Sequence, residues 1–263
     1  MRADVLRTDV LRTNVLRTNI ALVPYVIRTS YAMFSLLYRR ALATTRCRRC
    51  APLVLCAMLL SLPVAVQAHP HGWIDLRMRL VLDDQGRLEA LHQSWSMDPF
   101  YSLVILEELG HAAGEDSLEA GLDQLGAEIR DNLSGHGYFT ELHVDDQPVS
   151  FEEVSEYTVL ERDGRVQFVF LLPLSQPLEF AEHTLRYQVF DPSYYLEMVH
   201  EAQDDAPAPG ALVVAGDRQC DTRILPADPN PERIMEAAML DVDDQAQPGL
   251  GRHFAETGEV TCQ

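Results

Sequence analysis

The chain has 263 residues, with 40 acidic and 21 basic side chains, a formal net charge of −19 and no lysine. Such a surface repels nucleic acid and anionic lipid head groups and raises the local concentration of cations. A salt-adapted proteome would give the same acidic excess, so the charge excludes partners more firmly than it selects one.

The segment 1–68 reads as a leader. Val5-Leu6-Arg7-Thr8 recurs at Val10 and Val15, a five-residue period too short for any solenoid unit. Residues 1–32 therefore read as a start assigned too far upstream, with Met33 the initiator. Arg46, Arg48 and Arg49 then precede a short apolar run over 51–62, and Val66-Gln67-Ala68 supplies the small residues of a cleavage site. A positive region, an apolar region and an A-x-A-like exit define a signal peptide, here about 33–68. The apolar run is shorter than the roughly 20 residues of a comfortable transmembrane helix. The expectation is export to the periplasm, cleavage after Ala68, and no direct membrane insertion afterwards. The exported part, 69–263, carries eleven Arg against 38 acidic residues, a formal charge of −27. Its length suits a single domain.

Alternation over 73–82 sets Ile74, Leu76, Met78, Leu80 and Leu82 on one face, predicting a half-buried strand. Asp83 to Gly86 is a turn, and 88–96 returns as the second strand of a hairpin. Asp98-Pro99 predicts an N-cap and first helical position, with a helix to about residue 109. Leu118, Leu122, Leu125, Ile129 and Leu133 recur at helical spacing after Ser117. Strands follow over 138–145, 150–160, 165–172, 183–190 and 194–200. A Pro- and Asp-rich loop covers 202–210, a late strand 221–225, and Asn230-Pro231-Glu232 opens a short helix to about residue 240. The predicted fold class is α+β: an antiparallel β-sheet with a helical insertion after the first hairpin and a short C-terminal helix.

Cys47, Cys50 and Cys56 fall in the leader, leaving Cys220 and Cys262. An even pair in an oxidising compartment predicts a disulfide.

Cleavage after Ala68 would start the chain His69-Pro70-His71-Gly72-Trp73-Ile74-Asp75. Two imidazoles two residues apart lie on one side of an extended chain, about 7 Å apart at Cα, within reach of one ion. The α-amino group of His69 would be a third nitrogen donor. Asp75 would join the same ion only if Gly72 bent the chain; otherwise it would hold an imidazole from behind. The plainer reading is a pair of idle terminal histidines. His143 lies between Glu141 and Asp145, a carboxylate–histidine cluster or simply a solvated face. His136 sits in Ser134-Gly135-His136-Gly137, a loop able to swing onto an ion or do nothing. Asp98 and Asp191 each precede a proline in similar phrases, Met97-Asp98-Pro99-Phe100-Tyr101 and Phe190-Asp191-Pro192-Ser193-Tyr194-Tyr195. They read as two turn-forming caps or as carboxylate partners of the histidines. No G-x-S-x-G, H-E-x-x-H, phosphate loop or dinucleotide fingerprint occurs, so no enzyme activity is expected.

Ala68 to Asp75, Trp95 to Tyr101, Phe190 to Tyr195 and the ending Phe254-Ala255-Glu256-Thr257-Gly258-Glu259-Val260-Thr261-Cys262 together resemble the ZevA-like family. These are bacterial periplasmic proteins associated with membrane permeases of the nickel/cobalt/zinc type. The resemblance implies a metal-handling accessory with His69 and His71 as ligands. It would pass Zn(II), or Ni(II) or Co(II), to or from an inner-membrane metal permease. Two alternatives stand beside it. An N-terminal histidine offering amine and ring nitrogens suits square-planar Cu(II), as in a copper chaperone. The domain would otherwise be an interaction module that docks on a membrane partner without metal.

Overall fold

A computed structural model describes residues 70–112, 117–216, 218–240 and 246–262, all within one compact unit, Gln67–Gln263. The expected signal peptide and leader (1–68), and His69, lie outside the described residues. The alternating segment forms β1 (Gly72–Leu82) and its return forms β2 (Leu88–Met97), paired antiparallel. Asp83 shapes the turn between them: its Oδ1 accepts the amides of Gln85 and Arg87, each at 2.9 Å. Two helices follow, α1 (Pro99–Ala112) and α2 (Leu118–Ser134). Ser117 caps α2 by accepting the Ala120 amide, as its position predicts.

A 3-10 turn (Gly137–Phe139) then leads into β3 (Thr140–Val144), where the sequence pattern predicts unbroken strand from 138. Tyr138 and Phe139 both adopt left-handed backbone, φ 53° and 54°. Their rings are buried, and the Tyr138 hydroxyl accepts the Val154 amide at 3.0 Å. Burial and this anchor hold a backbone state that non-glycine residues rarely visit.

The remaining strands are β4 (Gln147–Pro148), β5 (Glu156–Arg162), β6 (Arg165–Leu178), β7 (Thr184–Val189), β8 (Leu196–His200), β9 (Ala202–Gln203), β10 (Ala206–Pro207), β11 (Leu212–Val214), β12 (Cys220–Leu225) and β13 (Thr257–Cys262). Asn230 caps the short α3 (Pro231–Ala238).

The class is α+β, with two larger sheets and a small β9–β10 ribbon among the described residues in place of a single antiparallel sheet. The first has the order β11-β1-β2-β6-β5 and the second β12-β13-β7-β3-β4. The outer edge of β1 is shared: β8 runs parallel to Gly72–Leu76 and β11 runs parallel to Met78–Leu80. An eleven-residue strand that is buried on one face would otherwise leave a long open edge. One core joins the two sheets. Leu76, Met78, Trp95, Phe168 and Phe170 of the first belong to the same buried cluster as Leu142, Leu185, Tyr187 and Val260 of the second. Buried Gln93 crosses between them, donating to Thr140 Oγ1 while accepting from Trp95 Nε1, both at 2.9 Å.

Cys220 and Cys262 are direct cross-strand partners and form the predicted disulfide, which closes a loop spanning 42 residues. A loop of that size contributes about 3–4 kcal/mol on the chain-entropy model. The bridge suits an oxidising, extracytoplasmic compartment. Among the described residues no helix is long and apolar enough to cross a membrane.

Candidate functional site

The start of β1 is where the motifs meet. His71 is exposed, its amide bonds to the Tyr195 carbonyl at 2.9 Å, and its ring lies 4.5 Å from the Tyr195 ring. Gly72 follows, and a Cβ there would stand 2.6 Å from Asp98 Oδ2. Only glycine leaves room for that carboxylate against the β1 backbone. Asp98 is 4% exposed. Its amide bonds to the Trp73 carbonyl, and its Oδ1 caps α1 by accepting the amides of Phe100 and Tyr101 at 2.9 Å. Burial pushes the Tyr101 hydroxyl up to about 12, with the neighbouring Tyr195, Glu108 and Asp98 adding to it. Tyr101 therefore stays a neutral phenol among these groups. His71, Tyr195, Tyr101 and Asp98 thus surround the same short stretch of β1.

The Asp191 turn delivers Tyr195 to this place. Asp191 Oδ1 accepts the Ser193 amide at 2.8 Å and the Ser193 hydroxyl at 2.7 Å. Its Oδ2 accepts the amides of Tyr195 and Leu196 at 3.0 and 3.1 Å. Tyr194 turns left-handed, φ 55°, and stacks on Phe254 at 4.1 Å. The next ring, Tyr195, points the other way and meets His71. Gly251 backs the turn: a Cβ there would lie 1.9 Å from the Asp191 carbonyl oxygen.

The other expected residues lie elsewhere. Gly72 to Leu76 pair in unbroken register with Leu196 to His200, so β1 does not bend at Gly72. Asp75 accordingly extends away from His71, and its carboxylate pairs with Arg165 at 2.5 Å. His143 is on β3, in the second sheet, opposite Arg186 on one side and Pro148 on the other. The carboxylates flanking it in sequence bind other groups: Glu141 pairs with Arg252, and Asp145 with His183. A shallow depression of about 330 Å³ beside it is lined by Glu141, His143, Asp146 and Arg186. His136 is exposed at the head of the 3-10 turn, its ring 6.4 Å from that of Phe139. Among the described residues no three His, Cys, Asp or Glu side chains converge as a metal site would require.

Sequence reasoning missed the buried chain that His200 belongs to. His200 is 4% exposed; its Nδ1 lies 2.8 Å from Glu256 Oε2 and its Nε2 lies 2.6 Å from the Tyr187 hydroxyl. The same Glu256 oxygen accepts the His200 amide at 2.6 Å. Burial holds the Tyr187 hydroxyl well above its ordinary range, with the Glu256 charge adding to it, so it keeps its proton and donates to Nε2. A neutral imidazole donating from Nδ1 to Glu256 satisfies every group. Burial pushes the Glu256 carboxyl up, but the His200 contacts outweigh it and leave the carboxyl below its ordinary range. Glu197 on β8 is pushed up, first by burial and then by the Glu256 charge. The chain ties β7 of one sheet to β8 of the other. Gly258 makes it possible, because a Cβ there would lie 2.1 Å from the Tyr187 ring. The signal was present in the Ala255-Glu256-Thr257-Gly258 ending, but pairing it with His200 needs the tertiary fold.

The chain belongs to a family described as protein of unknown function (DUF1007), whose model matches residues 54–262. It is also similar to an uncharacterized protein of Haemophilus influenzae. The two are 22% identical over 203 residues, covering 75% of this chain and 93% of the relative. No solved structure matches.

Proposed function

We propose that the exported domain is a periplasmic accessory protein that binds a divalent metal ion, with zinc ahead of nickel and cobalt. It would pass the ion to or from an inner-membrane permease, as the ZevA-like resemblance implies. The observation that supports this reading best is the Asp98 carboxylate set against Gly72, next to an exposed His71. The ligand set needs His69 and its α-amino group, which lie outside the described residues, to join His71. Two imidazoles and an amine with a nearby carboxylate form an open donor set, which suits an ion that must be released. The acidic surface would concentrate cations around it.

The test is calorimetric titration of the exported protein with Zn(II), Ni(II), Co(II) and Cu(II), its start at His69 confirmed by intact mass. Stoichiometric binding tighter than micromolar, weakened at least 100-fold in His69→Ala/His71→Ala, is the expected result. A preference for Cu(II) with a square-planar spectrum would move the reading to a copper chaperone. Binding no tighter than micromolar by correctly cleaved protein would sink the carrier altogether.

A further inference from the structure

Strand β12 lies at the outer edge of the second sheet, and among the described residues its only ladder partner is β13. Among the described residues, no other backbone hydrogen bond involves Cys220–Leu225. Asp221, Thr222 and Arg223 are all exposed. The strand is nevertheless firmly held, because the Cys220–Cys262 bridge fastens one end of it to β13. A stiff, open edge of this kind is a template for another strand.

The charges on the edge decide which strand it fits. Like charges would repel a second copy, the common protective device at sheet edges. Here Asp221 and Arg223 have opposite signs and flank Thr222 symmetrically. In an antiparallel pairing of two copies about Thr222, each Asp221 falls opposite the other copy's Arg223, and the two threonines face each other. Opposite charges and Thr–Thr pairs are favourable at directly opposed positions. Neither Asp221 nor Arg223 has an ion-pair partner among the described residues. Glu259, the ladder partner of Arg223, is already paired with Arg186 at 3.0 Å.

We propose that two copies of this chain associate through their β12 edges, paired antiparallel about Thr222 so that Asp221 meets Arg223 twice and the two second sheets become continuous. The pairing has a two-fold axis and is closed, so it yields a dimer and not a filament. It uses neither His71 nor Asp98, so it stands independently of metal binding. Screening at physiological salt reaches about 8 Å, which confines repulsion between the two acidic bodies and leaves the directly opposed pairs intact.

Sedimentation velocity over a concentration series, on the exported disulfide-bonded protein, reads the dimerisation constant. Asp221→Arg and Arg223→Asp alone each place like charges opposite one another, and each is expected to weaken the dimer about tenfold or more. Mixing the two variants restores opposite charges at both positions and is expected to recover association as a heterodimer. The double exchange Asp221→Arg/Arg223→Asp is expected to dimerise like the parent. A parent that stays monomeric throughout would overturn the proposal. So would single variants that dimerise unchanged, or a mixture that recovers nothing.

Discussion

The two Asp-Pro phrases look alike in sequence and are used differently. Asp191 spends both carboxylate oxygens on its own turn, with two donors on each. Asp98 caps a helix with one oxygen and sets the other against Gly72 beneath the His71 segment. One carboxylate builds a loop; the other caps a helix and packs against the β1 backbone at Gly72. A short motif therefore specifies a local turn, and the fold decides whether anything is left over for chemistry.

Removing the turn-building carboxylate should have the larger effect. Asp191→Ala leaves two backbone amides of a partly buried turn without their acceptor, as well as the amide and hydroxyl of Ser193. A loss of about 3–5 kcal/mol in urea unfolding is expected, since hydrogen bonds to charged groups are the strong ones. A loss below about 1 kcal/mol would show that the turn holds itself without the carboxylate. Asp98→Asn tests the other side. Asparagine caps as well as aspartate, so stability should change by less than about 1 kcal/mol. Zinc affinity should fall about 10–100-fold if the carboxylate orients a ligand. Unchanged affinity would make the two phrases equivalent caps and remove Asp98 from the site.

The buried chain behind β8 gives a smaller, pH-dependent effect. Glu256 has its carboxyl lowered in the folded state, so its contribution is fully present above the ordinary carboxylate value of 4.5 and is lost as pH falls through the lower folded value. Glu256→Gln should flatten the acid limb of the stability profile, measured by thermal unfolding at stepped pH. An acid limb of the same steepness in the variant would mean that other carboxylates govern it.

Much of the fold was legible because its signals are local. The β1–β2 hairpin follows from alternation, and the Ser117 and Asn230 caps follow from residue type and position. Strand β13 was not, because Thr257-Gly258-Glu259 offers no apolar alternation at the point where Gly258 is covered by the Tyr187 ring. Strand β11 has three residues, too few to show a period, and its pairing is set by a distant partner. The site divides in the same way. The candidate pair His69 and His71 is a reading of neighbouring residues, whereas the Tyr187–His200–Glu256 chain joins residues that only the packing of two sheets brings together. For Asp75 the bend at Gly72 that would bring it to the same ion is absent, because parallel pairing with β8 keeps β1 straight.

Strand β13, the last in chain order among the described residues, lies inside its sheet between β12 and β7. The second sheet cannot close until that final segment arrives, and neither Glu256 nor Cys262 can reach its partner earlier. Pairings between distant segments form late and slowly. A chain that lacks this last segment therefore leaves the second sheet divided between β12 and β7.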